Sequence, residues 1–543
     1  MTPRPARRAP QRQRIRHLVV RAVRAADSAL HSWARGPYES TLAVAALVVL
    51  ASALPVFAAC AAFDWLVGGW VAGSGESGSD AVALLISGGV IAVIAVGLLR
   101  LCRFERRITE RQALTALVLA SFAAVVVVAV AHLATGAVEP TALATAFAEA
   151  AAAVTGTNST TIVPDELGGG MLALRMTVQW LGGAAFIVVL VRVLPHLGVG
   201  GLDADGGVAT RAARRLAPRS AGTVGRLLLL YGALTAAIAI GYAAAGMPLL
   251  DSGLHALTTA STGGFSTHAA SLAVYDSAAV EWVAILGMAA GGVSLPLMFV
   301  ALRRRDPARF VRSYEFRLYV TLIVLAAAGV TLWTGGDFGH DHLRRSLFSV
   351  TSAISTTGFE VVPMVELSAG SQAMLVMLMV VGGMSASMAG GFKVVRVLTL
   401  ASYIGRELRR ATQPSLARRL HLGRSSISET TMSRIVGETL LTAFVVIPAA
   451  AAFGASGLDV VDALTYAVSA LSNVGPAAGD AGSMEHLAAM GWLGHLIAGL
   501  LMLLGRMSVT AALVALSVAI YPVASAVRHG YWTRRHPLRA PMR

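Results

Sequence analysis

The sequence predicts an all-α integral membrane protein: a two-helix preface followed by four helix/re-entrant P-loop/helix repeats around a single pore. Three observations carry this expectation. Of 543 residues, 56% are hydrophobic and only 13% charged, with a mean hydropathy of +0.68; a soluble chain carries roughly 25% charged residues. Apolar stretches of about 20 residues, the length that crosses a bilayer as a helix, recur along the whole chain. Short polar runs rich in glycine, threonine or asparagine recur roughly every hundred residues, a period far above that of soluble solenoid repeats.

In chain order, residues 1–40 form a basic tail running through Arg4 and Arg24. The apolar run that follows, Thr41 to Phe63, is too long for the core of a signal peptide, so the tail reads as retained and cytoplasmic, with a transit peptide as the alternative. Spans are expected at 41–63 and 82–101, which make up the preface (41–112). Further spans are expected at 113–135 and 172–194 (repeat 1, 113–210), and at 224–245 and 279–302 (repeat 2, 211–305). Repeat 3 (306–424) holds 317–334 and 373–402; repeat 4 (425–527) holds 433–455 and 488–521; 528–543 is a second tail. Within each repeat a shorter apolar stretch, about 12 residues and too short to cross, separates the two spans. Each ends in a polar run: Val154 to Pro164, Ala260 to His268, Ile354 to Pro363 and Leu471 to Gly479.

Charge placement tests this layout. The net charge of +15 would suggest nucleic acid for a soluble chain. Here the arginines cluster in short loops, at Arg103 to Arg107, Arg211 to Arg219, Arg303 to Arg312, Arg406 to Arg424 and Arg528 to Arg535. All fall on one side if the short stretches re-enter, and Asp64, Glu76, Asp165, Glu166, Asp251, Asp337 and Asp480 fall on the other. The positive-inside rule then puts both termini in the cytoplasm and lets the short stretches dip in from outside. The partner is the lipid bilayer, not nucleic acid. Cys60 and Cys102 have no metal-ligand or redox spacing.

Irregular backbone at membrane depth is tolerated only where it is buried in protein or lines a water-filled path, which makes the four runs pore-lining candidates. A dehydrated monovalent cation needs several oxygens, and backbone carbonyls supply them without the trapping of a carboxylate ring. Glycine permits the positive φ that turns a carbonyl inward, and the preceding half-helix aims its negative end at the centre.

The runs Ser355-Thr356-Thr357-Gly358-Phe359, Ser261-Thr262-Gly263-Gly264-Phe265 and Asn473-Val474-Gly475-Pro476 resemble filter loops of the Trk/Ktr/HKT superfamily of potassium transporters. Gln179-Trp180-Leu181-Gly182-Gly183, the glycine-rich break from Gly382 to Lys393, and Gly505-Arg506 are similar to other parts of that family, over roughly residues 113 to 521. The preface makes the chain resemble the TrkH-type membrane subunit. The resemblance implies transported potassium held at Thr157, Asn158, Thr262, Gly263, Thr357, Gly358, Val474 and Gly475. It also implies a homodimer in the cell membrane, a peripheral cytoplasmic nucleotide-binding regulatory subunit, and no enzymatic role.

In the first loop asparagine, Asn158, stands where a filter glycine is expected; asparagine tolerates left-handed backbone better than other non-glycine residues. Sodium-permeable relatives differ at this place. A shifted loop with Gly156 as the filter glycine is the alternative. The resemblance makes Gly382, Gly383, Gly390, Gly391 and Lys393, together with Arg506, an intramembrane gate, with a small-residue helix-packing surface as the alternative for the glycine loop. Met384 and Met388 stand where smaller residues are expected. Lys393 is the sole lysine among 44 basic residues. Arg506 lies deep in an apolar segment, where an unpaired arginine costs about 2.5–3.5 kcal/mol, and is expected to face the pore. The family's acidic residue two places on is Ser508 here. His255 and His268 read as vestibule histidines. Asp203-Ala-Asp-Gly-Gly and Gly198-Val-Gly-Gly lack the context of calcium or nucleotide motifs. A secondary transporter with inverted repeats and intramembrane carboxylates is the other functional class, and sodium or non-selective cation passage is the other ion reading.

Overall fold

A computed structural model describes residues 39–71, 79–101, 110–192, 220–335, 339–413, 420–422, 425–427, 429–507, 509 and 512–513. The arginine clusters at 103–107, 211–219 and 528–535 lie outside the described residues, as do Arg424, Glu76, Asp337, Ser508, Cys102, residues 1–38 and the glycine runs near 200.

The preface is α1 (Glu39–Val71) and α2 (Ser79–Leu101). Repeat 1 comprises α3 (Glu110–Ala134), the half-helix α4 (Leu143–Thr155) and α5 (Gly169–Arg192). Repeat 2 comprises α6 (Ser220–Ala244), half-helix α7 (Leu249–Ala260), and α8 (Ala278–Gly291) with α9 (Leu295–Arg304). After the short α10 (Ala308–Arg312), repeat 3 has α11 (Tyr314–Trp333), half-helix α12 (His340–Ile354), α13 (Ala369–Val381) and α14 (Val394–Thr412). A hairpin of β1 (Leu420–Leu422) and β2 (Ser425–Ile427), pairing Leu420 with Ile427, leads into repeat 4. That repeat comprises α15 (Glu429–Ala455), half-helix α16 (Val460–Ser472), α17 (Met484–Ala489) and α18 (Trp492–Met507).

Seven of the described helices are long and apolar enough to cross a bilayer. The half-helices, 12 to 15 residues each, span only about 20 Å at 1.5 Å per residue and cannot. They are buried instead. In α4, Ala150 to Ala153 are fully enclosed, because alanine lets the outer helices approach the half-helix backbone. The long helices turn apolar side chains outward, among them Val93, Leu229, Leu325 and Phe444. A water-facing helix would carry charge on that side; these face hydrocarbon.

One expected span is not continuous. The stretch 279–302 breaks between α8 and α9, which meet at 100°. Gly291, Gly292 and Pro296 explain it: proline is tolerated only in the first turn of a helix, so it starts α9 rather than extending α8. The preface is fastened to repeat 1 by Asp64, whose carboxylate accepts from Gly170 N (2.9 Å) at the start of α5 and Ala81 N (3.1 Å) at the start of α2. Both amides belong to helix N-terminal turns that would otherwise be unpaired.

Candidate ion pathway

All four half-helices end alike. The amides of Thr157, Gly263, Thr357 and Val474 donate to the carbonyls five residues back, Ala152, Thr258, Ser352 and Ser469, at 2.8 to 3.0 Å. The residue before each is left-handed: Gly156 (φ 70°), Thr262 (53°), Thr356 (56°) and Asn473 (58°). This is the Schellman helix end, which favours glycine or asparagine. A β-branched threonine there is an outlier, strained by about 1–2 kcal/mol. Two residues further on stand Gly264 (φ 79°), Gly358 (79°) and Gly475 (116°); the fourth place belongs to Asn158.

This register corrects two expectations. The counterpart of Gly358 is Gly264, and Gly263 with Thr262 sits one step earlier than read from sequence. The tandem glycines leave the choice open in sequence, but the following phenylalanine, Phe265 or Phe359, resolves it. Gly156 is a helix end, so the shifted reading of loop 1 does not match the backbone. Nor does Asn158 adopt the left-handed form expected of it.

The loops interlock in the order 1, 2, 3, 4. A Cβ at Gly264 would lie 1.8 Å from the Thr357 carbonyl oxygen, at Gly358 2.4 Å from that of Val474, and at Gly475 2.1 Å from that of Asn158. No side chain fits at these three places. Asn158 does carry one, and its Nδ2 donates to the Gly358 carbonyl of the opposite loop at 2.6 Å. Its amide N donates to Val474 O (2.9 Å).

Side chains behind the ring hold it. Gln179 Nε2 donates to Gly263 O (2.9 Å) and Thr157 O (3.2 Å), while its Oε1 accepts from Phe265 N (3.2 Å). The carbonyls of Thr157 and Gly263 are thereby tied toward α5. Asn473 Nδ2 donates to Thr157 Oγ1 (3.0 Å) and Met502 O (2.8 Å), joining loop 4 to loop 1. Behind loop 1, buried Arg175 pairs with Glu149 (2.8 Å), donates to Thr160 Oγ1 (2.6 Å) and stacks on Phe265 (4.3 Å). Glu149 also accepts from Thr161 N (2.5 Å). For Arg175 and Glu149 the only sequence signal was a single charged residue inside an apolar helix.

Under the ring, Gly382 to Lys393 form the loop between α13 and α14. Gly382 (φ 69°) and Gly391 (73°) touch at its neck, where a Cβ on Gly382 would lie 2.8 Å from the Gly391 Cα. Gly390 N donates to Thr356 Oγ1 (2.6 Å) and Gly391 N to Ser472 O (3.0 Å), so the loop hangs from filter loops 3 and 4. The break in repeat 2 receives its other side: Met384 N and Met388 N donate to Gly292 O (2.9 Å) and Gly291 O (3.2 Å). Arg506 Nη1 donates to Met388 O (2.8 Å), with its guanidinium over Phe186 (5.0 Å). No carboxylate pairs with Arg506 among the described residues. Lys393, itself left-handed (φ 82°), donates to Ala389 O. Gly383 borders both Gly292 and Ser387. The six residues read from sequence as a gate thus meet in one place.

On the other face of the ring, a cavity is lined by Asn158, Arg175, His268, Glu360, Gly475 and Pro476, among others. His268 Nδ1 meets Asp165 (2.8 Å), and the Ala269 amide holds the Asp165 carboxyl below its usual range. His255 packs against Ser266 and the Asp251 carbonyl. Burial pushes the Glu360 carboxyl up to about 7.

Seven bilayer-length apolar helices around four interlocked half-helix ends, stripped of side chains at three of four places, define a multi-pass membrane transport protein. The chain belongs to the TrkH family, described as cation transport proteins, whose model matches residues 84–335 and 338–525. Among similar proteins, the Trk system potassium uptake protein TrkH of Halomonas elongata is 31% identical over 384 residues, 69% of this chain and 78% of that protein. TrkH of Salmonella typhimurium is 32% identical over 378 residues, 68% of this chain and 77% of that protein. The crystal structure of the potassium transporter TrkH from Vibrio parahaemolyticus matches with a TM-score of 0.78 and 25% identity, covering 88% of this chain and 98% of that one.

Proposed function

We propose that this chain carries potassium into the cell, down its electrochemical gradient, through the ring formed by its four loops. The observation that carries this reading is the shared helix end, repeated four times in loops that interlock in the order 1, 2, 3, 4. Carbonyls of this kind replace the hydration shell of a monovalent cation. The names of the relatives, Trk system potassium uptake proteins, support potassium as the ion.

In this reading the ring comprises Thr157 and Asn158, Gly263 and Gly264, Thr357 and Gly358, Val474 and Gly475, with Thr262 as the helix end of loop 2. Gly382 to Lys393 form the gate and Arg506 its bolt: the guanidinium holds the loop closed through the Met388 carbonyl and opposes a cation beneath the ring. Opening releases that bond together with those to Thr356 and Ser472. The arginine clusters support cytoplasmic termini, and the relatives' designation as a system supports a peripheral regulatory partner; a homodimeric membrane subunit follows from the resemblance alone.

Asn158 favours a second ion reading. Its carboxamide occupies the ring and satisfies the Gly358 carbonyl, so sodium passes with less discrimination than in an all-glycine ring. The test is cation uptake by proteoliposomes of the purified chain, comparing potassium, rubidium and sodium. Potassium and rubidium uptake is expected; saturable uptake of another solute without cation flux would overturn the pore reading.

A further inference from the structure

Glu360 follows Gly358 by two residues, and its backbone is fixed. Its amide donates to Ser271 Oγ on loop 2 (3.3 Å), and the Phe359 carbonyl before it accepts from Ser352 Oγ (2.7 Å). Glu360 lines the outer cavity together with Asn158 and Gly475, and a second cavity together with Gly358 and Val474. It therefore shares a cavity with three of the four ring positions. Its carboxylate accepts one long bond, from Met364 N (3.3 Å), and no ion pair engages it among the described residues.

Repeat 1 shows what a neutralised carboxylate looks like at the same depth. Two hundred residues earlier, Thr160 takes the place of Glu360; Glu149 and Arg175, paired at 2.8 Å, take the places of Ser349 and Leu375. Arg175 also borders the outer cavity, but its guanidinium is committed to Glu149 and Thr160. His268 is engaged further out by Asp165. Glu360 is thus a carboxylic residue of the outer cavity with no cationic side chain paired to it among the described residues.

We propose that the Glu360 carboxylate gathers the hydrated cation at the outer mouth, raising its local concentration before it sheds water into the ring. A carboxylate in a narrow cleft with low-dielectric walls focuses its field on the water-filled space, and the effect falls with ionic strength. The inference rests on the transport reading above.

The test uses the full chain in proteoliposomes at alkaline pH, measuring potassium uptake against external potassium with choline chloride setting the ionic strength. Glu360→Gln is expected to raise the half-saturating potassium concentration about fivefold at low ionic strength, converge on the wild type at high ionic strength, and leave the maximal rate near its original value. Glu360→Asp should keep the wild-type value. Glu366→Gln, which removes an exposed carboxylate from the same loop, should also keep it. Glu360→Thr, giving the loop the side chain of repeat 1, should match the Gln variant and serves if the latter does not fold. An unchanged half-saturation in Gln and Thr variants overturns the proposal, as does an equal shift in Glu366→Gln. Absence of potassium uptake by the wild type would instead overturn the transport reading, so the two failures are distinct.

Discussion

Repeats 1 and 3 match residue for residue at an offset of 200, from Thr157 and Thr357 through the short 3-10 turns at Pro164–Glu166 and Met364–Glu366, yet they are built for opposite ends. In repeat 1 the outer helix α5 runs unbroken for 24 residues; a buried Arg175–Glu149 pair braces the loop from behind, and the helix ends on an unstrained Gly156. In repeat 3 the corresponding helix breaks into the loop from Gly382 to Lys393, apolar Leu375 stands for the arginine, and the half-helix ends on a strained threonine whose hydroxyl accepts from that loop. One quarter of the ring is a fixed wall. The opposite quarter is a wall from which the Gly382 to Lys393 loop hangs, and the strain at Thr356 is held in place by the bond it makes.

The comparison breaks most severely at the glycines. Gly358→Ala forces a Cβ to 2.4 Å from the Val474 carbonyl at φ 79°, and flux should fall to background in protein that still extracts as a folded species. Next in size is the brace. Arg175→Leu, which makes repeat 1 resemble repeat 3, strands the Glu149 charge in the interior and should cost about 3–5 kcal/mol, read as a lowered Tm in detergent. Adding Glu149→Ser removes the stranded charge and should recover part of that loss. A smaller effect is expected at the bond between loop 3 and the Gly382 to Lys393 loop. Thr356→Val removes the acceptor for Gly390 N, a loss of about 1 kcal/mol of closed-state stability, and should raise basal flux roughly fivefold; Thr262→Val, at the matching place in loop 2, should not.

Much of this architecture was legible beforehand. Length and hydropathy marked the long spans, because about 20 apolar residues in a row have few other uses, and short apolar stretches ending in Gly, Thr and Asn marked the loops. The glycine break at Gly382 to Gly391 was visible because four glycines inside a span are hard to reconcile with an uninterrupted helix. What escaped was set by tertiary contact. The bend at Gly291 to Pro296 hid inside an apolar window, since hydropathy does not register backbone direction. The register of loop 2 was a local matter instead: the Gly263 N to Thr258 O bond makes Gly264 the left-handed glycine, and the phenylalanine that follows it, as Phe359 follows Gly358, carried that register in the sequence. The Arg175–Glu149 pair were single polar residues whose partners lie on other elements, and Gln179, though part of a recognised motif, showed its bonds to loops 1 and 2 only in the fold. Asn158 was singled out in sequence, but its bond to the opposite loop required the folded ring.

The central claim is that four unequal loops form one cation-selective ring whose weakest quarter is Asn158. The most direct measurement is the potassium-to-sodium uptake ratio of proteoliposomes bearing the wild type and Asn158→Gly. Freeing the Gly358 carbonyl and emptying the ring of its one side chain should raise that ratio about tenfold, equivalent to about 1.4 kcal/mol of added discrimination. An unchanged ratio in a variant that still transports potassium would contradict the account.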